Sequence, residues 1–403
     1  MLPFSHFFGF RQNTGILPSR RFFKGAQILT VFLGFYSFCY ICTIARENGT
    51  IRILSSLRLN NFLCLSLPKP PHLSDNHFST RHPPMNLIVA YMRSGSTLTA
   101  NMVRHNEGDF YMFEPLHGIT QAVQKTSPVQ FLNGTKRMIS RRELFTVYAE
   151  LLYHWFTCNF AGIDITALTH PFIVQYTPEL GEYYRCINPK TSRRSKTENV
   201  KMCLTWLHKR CVKSKSRTIK TIRLPISMAG KLLDWLPSLK IIHLIRDPRG
   251  ILNSQFEKLV NDGKNMSTAA EELCQSISND LSAYEDLQYC HKNRITRIIY
   301  EDMCENPFVI VPKLYEFLNT KYTKRVNDYV KWTMTGPVRS CDYCTNKGNA
   351  LMNAYRWISI IPRHVIQTFD THCSFLYPKL GYQNLDYDKL NITERSWLPG
   401  TSH

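Results

Sequence analysis

Two arginine-containing segments follow apolar runs and have the residue types of anion-binding sites. The first, Arg93-Ser94-Gly95-Ser96-Thr97, follows the run NLIVAYM and precedes the helix-like stretch TLTANMVRHN. Gly95 permits a tight turn, and the unpaired N–H groups at a helix N-terminus bind anions, to which Arg93 adds a planar cation. The segment lacks the lysine of the Walker A pattern G-x-x-x-x-G-K-[ST], so ATP and GTP are not the expected ligands. An ordinary capped helix start is the alternative.

The second segment runs from Arg246 to Ser254 and reads RDPRGILNS after the strand-like run KIIHLIR. An arginine at the end of a strand and a serine on the following helix can converge on one phosphate. The alternative is a salt bridge from Arg246 to Asp247 or Asp302, with Ser254 facing solvent. Two anion sites on neighbouring strands suit a ligand that carries a phosphate at each end.

Strand-like and helix-like stretches alternate around these segments. The strand-like runs are NLIVAYM from residue 86, TIKTIRL at 218–224, KIIHLIR at 240–246 and RITRIIY at 294–300, and the helix-like stretches include 226–236, GILNSQFEKLV and FVIVPKLYEFLNT. This alternation predicts a doubly wound α/β domain with a parallel sheet. The stretch 184–217 is basic and turn-rich, and we interpret it as a solvated loop, with a surface for an acidic substrate as the alternative.

The 403-residue chain is basic, since 50 Lys+Arg against 30 Asp+Glu give a net charge of +20. Its 43% hydrophobic and 20% charged residues exclude a wholly disordered, collagenous or polytopic membrane protein. The excess of positive charge favours an anionic partner.

An uncharged run from Ile28 to Ala45, ILTVFLGFYSFCYICTIA, is long enough to span a bilayer. It stays bulky and aromatic to its end, so we interpret it as an uncleaved signal anchor, with a buried core helix as the alternative. Arg20, Arg21 and Lys24 precede it without an acidic residue, which favours a cytoplasmic N-terminus.

The features after this anchor indicate an oxidising lumen. Four N-glycosylation sequons lie there, at Asn48, Asn133, Asn265 and Asn391. Eleven of the thirteen cysteines also lie there, and the odd total leaves at least one thiol unpaired. Sequence leaves the connectivity open, but the pairs close enough to form small loops are Cys203/Cys211, Cys274/Cys290 and Cys341/Cys344. The only other C-x-x-C pair lies inside the apolar run, so no metal site is expected.

The two arginine segments resemble those of Golgi carbohydrate sulfotransferases, in which they occur in the same order along the chain. The resemblance is specifically to the galactose/N-acetylglucosamine/N-acetylgalactosamine 6-O-sulfotransferase group. Phe113-Glu114-Pro115-Leu116 is similar to that group's (F/Y)EPLWH segment, and Tyr300-Glu301-Asp302 is similar to its RYED. The resemblance to its C-terminal region is carried by Tyr355-Arg356-Trp357, Cys373 and Leu380-Gly381-Tyr382.

This resemblance implies a doubly wound, P-loop-like sulfotransferase fold preceded by one transmembrane helix. It implies transfer of sulfate from 3′-phosphoadenosine 5′-phosphosulfate (PAPS) to the 6-hydroxyl of GlcNAc, Gal or GalNAc in a glycan or proteoglycan, without a metal. The implied location is the Golgi membrane, single-pass type II with a luminal catalytic domain. The expected segments are a cytoplasmic tail at 1–27, the anchor at 28–45, a stem at 46–84, the catalytic domain at 85–383 and a C-terminal tail at 384–403.

The resemblance also implies which residues bind PAPS. The 5′-phosphosulfate is held by Arg93 and by the N–H groups of Ser94, Gly95, Ser96 and Thr97, with Lys220 or Arg223 as further charges. The 3′-phosphate is held by Arg246 and Ser254. Tyr300 packs on the adenine or, alternatively, in the core.

Glu114 is the candidate catalytic base, acting beside Arg93, with a structural ion pair as its alternative. His117 is the rival base, because this sequence reads EPLHG where the family has EPLWH. The chemistry needs an acceptor hydroxyl in line with the leaving phosphate, a base for its proton and positive charge on the leaving oxygens.

Two other functions fit parts of the pattern. Tyrosylprotein sulfotransferases carry an RSG(T/S)TL-like loop, but the FEPL segment and the cysteine-bearing C-terminal region favour the carbohydrate group. A catalytically inactive luminal glycan-binding protein of the same fold is disfavoured because Glu114, Arg93 and Arg246 are all present. The 4-O and heparan 2-O branches usually carry a PK-type first motif, and a luminal chain is not expected to bind nucleic acid. The acceptor sugar and the oligomeric state stay open.

Overall fold

The structure is a computed structural model that describes residues 69–70, 73, 82–189, 194–261, 263, 265–338, 345–346 and 348–385. The predicted cytoplasmic tail, anchor, most of the stem, the pair Cys341/Cys344, the sequons at Asn48 and Asn391, and the C-terminal tail beyond residue 385 lie outside these residues. Within the described ranges no helix has the length and apolar character needed to cross a membrane.

Seven strands form two sheets in the part of the chain that the structure describes. They are β1 Met85–Val89, β2 Asp109–Phe113, β3 Val129–Gln130, β4 Lys136–Arg137, β5 Ser216–Thr221, β6 Leu239–Ile245 and β7 Ile295–Ile299. Five of them make a parallel sheet in the order β2-β5-β1-β6-β7, and β3 pairs with β4 in a small antiparallel hairpin. Short, continuous apolar runs are typical of strands buried on both faces, as β1 is along its whole length.

Helices cover both faces of the parallel sheet. In the described residues they are α1 Ser96–Val103, α2 His117–Gln124, α3 Leu144–Phe156, α4 Ile165–Thr169, α5 Pro171–Gln175, α6 Gly181–Ile187, α7 Lys196–Val212, α8 Ile226–Trp235, α9 Pro248–Asn261, α10 Met266–Cys290, α11 Tyr300–Glu305, α12 Pro307–Phe317, α13 Lys324–Thr335, α14 Ala350–Tyr355, α15 Arg363–Cys373 and α16 Tyr377–Leu380. Leu87 and Val89 of β1 pack in one hydrophobic core with α3 and α8, and Ile88 packs in a second core with α1 and α12. The predicted doubly wound α/β fold with a parallel sheet is therefore confirmed.

The four predicted strands and the helices that follow them form within a few residues of the expected bounds. Helix α12 forms although Pro312 lies inside it. Strand β2, which ends directly before Glu114, was not predicted, although it is fully buried. Strands β2 and β5 lie on one side of β1, and β6 and β7 lie on the other, so the strand order reverses at β1. In doubly wound sheets, such a reversal leaves a crevice at the carboxyl ends of the strands, where ligands bind.

The interpretation of 184–217 as a solvated loop is wrong, because most of this stretch is helical. Ser195 accepts a hydrogen bond from the Glu198 N–H at 3.2 Å, and the Glu198 carboxylate accepts one from the Ser195 N–H at 2.7 Å. This capping box starts α7, which buries Val200 and Leu207 against the core. Lys196, Lys201 and Lys209 lie on the exposed side of α7, which explains the basic composition of this stretch.

The sequence left the cysteine connectivity open, and two of its three candidate small-loop pairs do not form. The disulfides are Cys158–Cys211, Cys186–Cys203 and Cys274–Cys373; Cys290 is also disulfide-bonded, and Cys304 is a buried free thiol. The pairing Cys203/Cys211 is wrong because both residues lie on α7, where a rise of about 1.5 Å per residue separates them by roughly 12 Å. A disulfide requires Cα atoms within roughly 7 Å. The pairing Cys274/Cys290 fails for the same reason, since both lie on α10.

Candidate active site

The anion-binding segment forms a tight turn after β1. The Tyr91 carbonyl accepts hydrogen bonds from the Ser94 N–H at 3.1 Å and from the Ser94 hydroxyl at 2.8 Å. Arg93, the third residue of this turn, has φ 72°. A left-handed arginine is uncommon and stores backbone strain of the kind that concentrates at functional sites. The turn thus holds Arg93 in a conformation that the chain would not adopt unaided.

Gly95 ends the turn and caps α1 at φ 86°, with no side chain capping the helix. A Cβ atom on Gly95 would lie 2.2 and 2.3 Å from two carbons of the Tyr300 ring. Glycine is therefore required both for its backbone angle and for the close approach of Tyr300. The first N–H groups of α1 have no partner within the helix, and their positive dipole end attracts an anion.

Two further carbonyls of the turn are held by side chains from the second segment and the residue that follows it. Gln255 donates to the Met92 carbonyl at 2.7 Å, and Arg246 donates to the Arg93 carbonyl at 3.0 Å. Each carbonyl oxygen of the turn is thereby neutralised by a donor, so its negative dipole does not oppose an anion at the start of α1.

The two arginine segments meet at this turn. The Arg93 Nε–H donates to the Ser254 hydroxyl at 2.9 Å. Arg246 is buried, donates to the Ala354 carbonyl at 3.2 Å and lies 3.7 Å from the Glu301 carboxylate. Burial raises the pKa of Glu301 to about 7, while the positive charge of Arg246 opposes that shift. Arg246 is consequently a brace for the turn as well as a positive charge beside it.

The alternative salt bridge from Arg246 to Asp247 or Asp302 is wrong. Asp247 instead binds Arg249 in a bidentate pair at 3.0 and 2.8 Å. The Arg249 guanidinium lies over the Tyr377 ring, 4.1 Å from its centroid, which ties the second segment to the C-terminal helices.

Glu114 lies directly after β2 with φ 47° and is 1% exposed. One carboxylate oxygen contacts Lys220 Nζ at 2.5 Å, and the other accepts a hydrogen bond from Arg223. Lys220 is on β5 and Arg223 follows it, so the parallel pairing of β2 and β5 brings these residues together. Burial lowers the pKa of Lys220, and the Glu114 carboxylate opposes that shift. Glu114 is thus both an ion-pair partner and a carboxylate inside the site.

His117, at the start of α2, contacts the same cluster. Arg223 Nη2 lies 2.8 Å from His117 Nδ1. A guanidinium has no acceptor, so it must donate, and Nδ1 must be the acceptor. The neutral His117 ring therefore carries its hydrogen on Nε2 and presents a donor there. This disfavours His117 as the base and leaves Glu114 as the stronger candidate.

One cavity of about 350 Å³ connects the turn and the Glu114 cluster. The predicted site residues that line it are Arg93, Gly95, Ser96, Thr97, Glu114, His117, Lys220, Arg223, Arg246, Ser254 and Tyr300. Ser94 is the exception, because its N–H and hydroxyl both bind the Tyr91 carbonyl; it shapes the turn and does not line the cavity. Tyr300 is buried against Gly95 and beneath Arg246, which favours its core role.

A family model described as "Sulfotransferase domain" matches residues 83–357, which include the turn, the Glu114 cluster and the second segment. The chain belongs to the sulfotransferase family. Carbohydrate sulfotransferase 1 of Danio rerio is 25% identical over 334 residues, covering 74% of this chain and 77% of that protein. Carbohydrate sulfotransferase 3 of Homo sapiens is 24% identical over 350 residues, covering 77% and 69%. The resemblance to carbohydrate sulfotransferases is thus confirmed.

Among solved structures, the sulfotransferase domain of the Synechococcus PCC 7002 olefin synthase is 16% identical. It covers 77% of this chain and 99% of that chain, with a TM-score of 0.42. This similarity is too distant to inform the site.

This sulfotransferase also places C-terminal residues at the cavity for which the sequence predicted no role. Asn353, the exposed Arg356 and Trp357 line it. Arg356 lies in the Tyr355-Arg356-Trp357 segment, whose local sequence gives no sign that it reaches the cavity. The Arg249 guanidinium lies 5.3 Å from the centroid of the neighbouring Trp357 ring and packs this segment against the second segment.

Proposed function

We propose that this sulfotransferase transfers sulfate from PAPS to the 6-hydroxyl of a GlcNAc, Gal or GalNAc residue in a glycan or proteoglycan. The observation that carries the proposal is the shared cavity. On one side lies a strained turn that presents N–H groups and Arg93, and on the other lies the buried Glu114 carboxylate. Anion binding and proton acceptance are the two tasks that sulfuryl transfer requires of the protein.

The residues present fit a sulfonucleotide. The cradle at Gly95, which a Cβ would fill with a clash, is an uncapped helix start suited to the 5′-phosphosulfate, with Arg93 as its counter-charge. Arg246 and Ser254 would hold the 3′-phosphate. PAPS supplies an activated sulfuryl group when bound, so the protein needs to position and stabilise more than to react.

The base side of the cavity follows from the contacts of Glu114. The carboxylate would accept the proton of the acceptor hydroxyl, while Lys220 and Arg223 hold its orientation. His117 would donate from Nε2 to an acceptor oxygen. Phe172, whose ring centroid lies 4.6 Å from that of His117, gives this part of the cavity an apolar wall for a sugar ring.

The carbohydrate acceptor is supported by the family resemblance of the FEPL segment and by the curated relatives, which are carbohydrate sulfotransferases. The Golgi location, type II topology and luminal catalytic domain are part of the same proposal. The disulfides Cys158–Cys211, Cys186–Cys203 and Cys274–Cys373 support an oxidising compartment. The sequons at Asn133 and Asn265 are exposed, as glycosylation requires.

The test is a sulfate-transfer assay of the full chain with labelled PAPS. The acceptor panel contains keratan, chondroitin, GlcNAc-terminated glycans and tyrosine peptides, and the product is analysed for the position of the sulfate. We expect transfer to the 6-hydroxyl of one glycan and a loss of about a hundredfold in kcat/KM in Arg93→Ala. Arg325→Ala is the matched control, since Arg325 is an exposed arginine paired with Glu107.

Three outcomes would count against the proposal. Transfer to the peptides alone would favour a tyrosylprotein sulfotransferase. Binding of PAPS without transfer to any acceptor would favour an inactive glycan-binding protein. Equal losses of kcat/KM in Arg93→Ala and Arg325→Ala would show that the turn containing Arg93 takes no part in the reaction.

A further inference from the structure

One buried carboxylate, that of Asp280 on α10, links the turn after β1 to the loop after β5. The Tyr91 hydroxyl donates to Asp280 Oδ2 at 2.8 Å. The Ile226 N–H, at the start of α8, donates to Asp280 Oδ1 at 2.8 Å. Tyr91 begins the turn that contains Arg93, and Ile226 ends the short loop that contains Arg223. Asp280 therefore bonds to the loop that carries Arg93 and to the loop that carries Arg223.

His243 on β6 completes this network. Its Nε2 lies 3.1 Å from the Tyr91 hydroxyl oxygen, and His243 is fully buried. The single hydroxyl hydrogen of Tyr91 points to Asp280, so His243 Nε2–H donates to the Tyr91 oxygen. Burial, together with the charge of Arg297, lowers the pKa of His243 to about 3, so the ring is neutral near neutral pH. Tyr91 is thus held by two partners that keep one arrangement of hydrogens.

The same tyrosine fixes the turn through its backbone. Its carbonyl accepts both hydrogen bonds from Ser94, so the position of Tyr91 determines where the turn begins. Buried polar groups cost free energy when they lose their hydrogen-bond partners. Movement of either loop would break its bond to the buried Asp280 carboxylate, so these bonds hold the two loops in one relative position.

We infer that Tyr91 and Asp280 are positioning residues that set the placement of the Arg93 turn relative to the Arg223–Glu114 cluster. Neither residue lines the cavity, so both act through the residues that do. The inference rests on the proposed function, because the consequence of correct placement is tight binding and in-line transfer from a sulfonucleotide.

The test compares two tyrosines that each lose one buried hydroxyl. Tyr91→Phe removes the bond to Asp280, and Tyr315→Phe removes bonds to the Met102 and Val103 carbonyls at the far end of α1. Binding of 3′-phosphoadenosine 5′-phosphate (PAP) to the full chain is measured by calorimetry, together with kcat, KM for PAPS and thermal stability. We expect Tyr91→Phe to weaken PAP binding and lower kcat, each by about tenfold, because it removes the hydrogen bonds to Asp280 and His243 and leaves the buried Asp280 Oδ2 without its donor. Tyr315→Phe should lose thermal stability and keep both values.

Asp280→Asn is the second variant and decides the question if Tyr91→Phe does not fold. Its amide Oδ1 can still accept from the Ile226 N–H, but its NH2 group replaces the carboxylate acceptor of the Tyr91 hydroxyl. A hydrogen bond there then requires the opposite tautomer of His243 and loses the charged acceptor, so PAP binding should weaken in the same direction as in Tyr91→Phe. Unchanged PAP binding in the folded variants, or equal losses in Tyr315→Phe, would overturn the positioning role alone. A complete absence of PAP binding by the unmodified chain would overturn the proposed function and the inference with it.

Discussion

The β1 side and the β2 side of the cavity present positive charge in different ways. On the β1 side it comes from the backbone N–H groups of an uncapped helix start, whose turn carbonyls are held by other donors, together with the side chain of Arg93. On the β2 side it comes from Lys220 and Arg223, which are balanced by the buried Glu114. The first arrangement depends on local geometry, and the second depends on charge balance among side chains.

We therefore expect the β1 side to determine the affinity for the nucleotide and the β2 side to determine the rate of proton transfer. A backbone site is altered by anything that moves the turn, so its variants should change ligand affinity. A balanced cluster of charges is altered by removing one charge, so its variants should change proton transfer. Each prediction below tests one side of the cavity, or the region that supports it, against a matched control.

The largest expected effect is on the β2 side. Glu114→Gln keeps the shape of the side chain but removes the proton acceptor, so kcat should fall by about a thousandfold. PAP affinity should be retained, because the turn after β1 is untouched. Steady-state kinetics and calorimetry measure the two values, with Glu107→Gln as a control at an exposed glutamate paired with Arg325.

If Glu114→Gln lost PAP affinity and kcat in the same proportion, the two sides would not be separable. If it kept full activity, the buried Glu114 would be a structural ion-pair partner, and His117 would return as the candidate base.

The next effect is on the β1 side and comes from a single methyl group. Gly95→Ala combines a left-handed alanine with a clash against the Tyr300 ring, and should lower the free energy of unfolding by about 3 kcal/mol. Gly134→Ala has a similar φ of 96° but nothing within 4 Å of the added Cβ. It should therefore show only the backbone part of that loss. Denaturant unfolding compares the two variants, and equal losses would show that the approach of Tyr300 does not constrain the turn.

The third effect lies outside the cavity, in the helical region between β2 and β5. Replacing Cys186 and Cys203 together by alanine opens a loop with a sequence separation of 17 residues, which should lower stability by about 2 to 3 kcal/mol. PAP affinity should not change, because neither cysteine contacts the turn. A loss of affinity in the folded double variant would show that this helical region supports the nucleotide side. Peptide mapping without reduction would check the pairing itself.

The β1 side could be predicted from sequence because it is local. Strand, turn and helix start are contiguous, and Gly95 marks the backbone angle that the turn requires. Strand β1 was predictable because its apolar run is short and continuous. The residue types in such a short segment indicate its backbone conformation without knowledge of distant contacts.

The β2 side required the structure. Glu114 lies 106 residues from Lys220 and 109 from Arg223, and the pairing of β2 with β5 that joins them follows from no local pattern. The structure brought Arg356 to the cavity by similarly distant packing. Helix α7 was not predicted because its basic composition is typical of a solvated loop. The signal that indicates a helix start there is the capping box of Ser195 and Glu198. The pairs Cys203/Cys211 and Cys274/Cys290 failed because residues that are close in sequence are far apart along a helix.

The smallest expected effect is at Ser254, where the second segment touches the first. Its exposed hydroxyl accepts a hydrogen bond from Arg93 Nε, and water can replace much of that interaction. Ser254→Ala should therefore weaken PAP binding only about threefold, as expected for one exposed hydrogen bond. Thr368→Ala, which removes an exposed hydroxyl bonded to the His364 carbonyl on α15, should have no effect on binding. A loss in Ser254→Ala as large as that in Arg93→Ala would mean that side chains of the second segment bind the nucleotide as strongly as the turn does, and that the β1 side does not depend on its backbone after all.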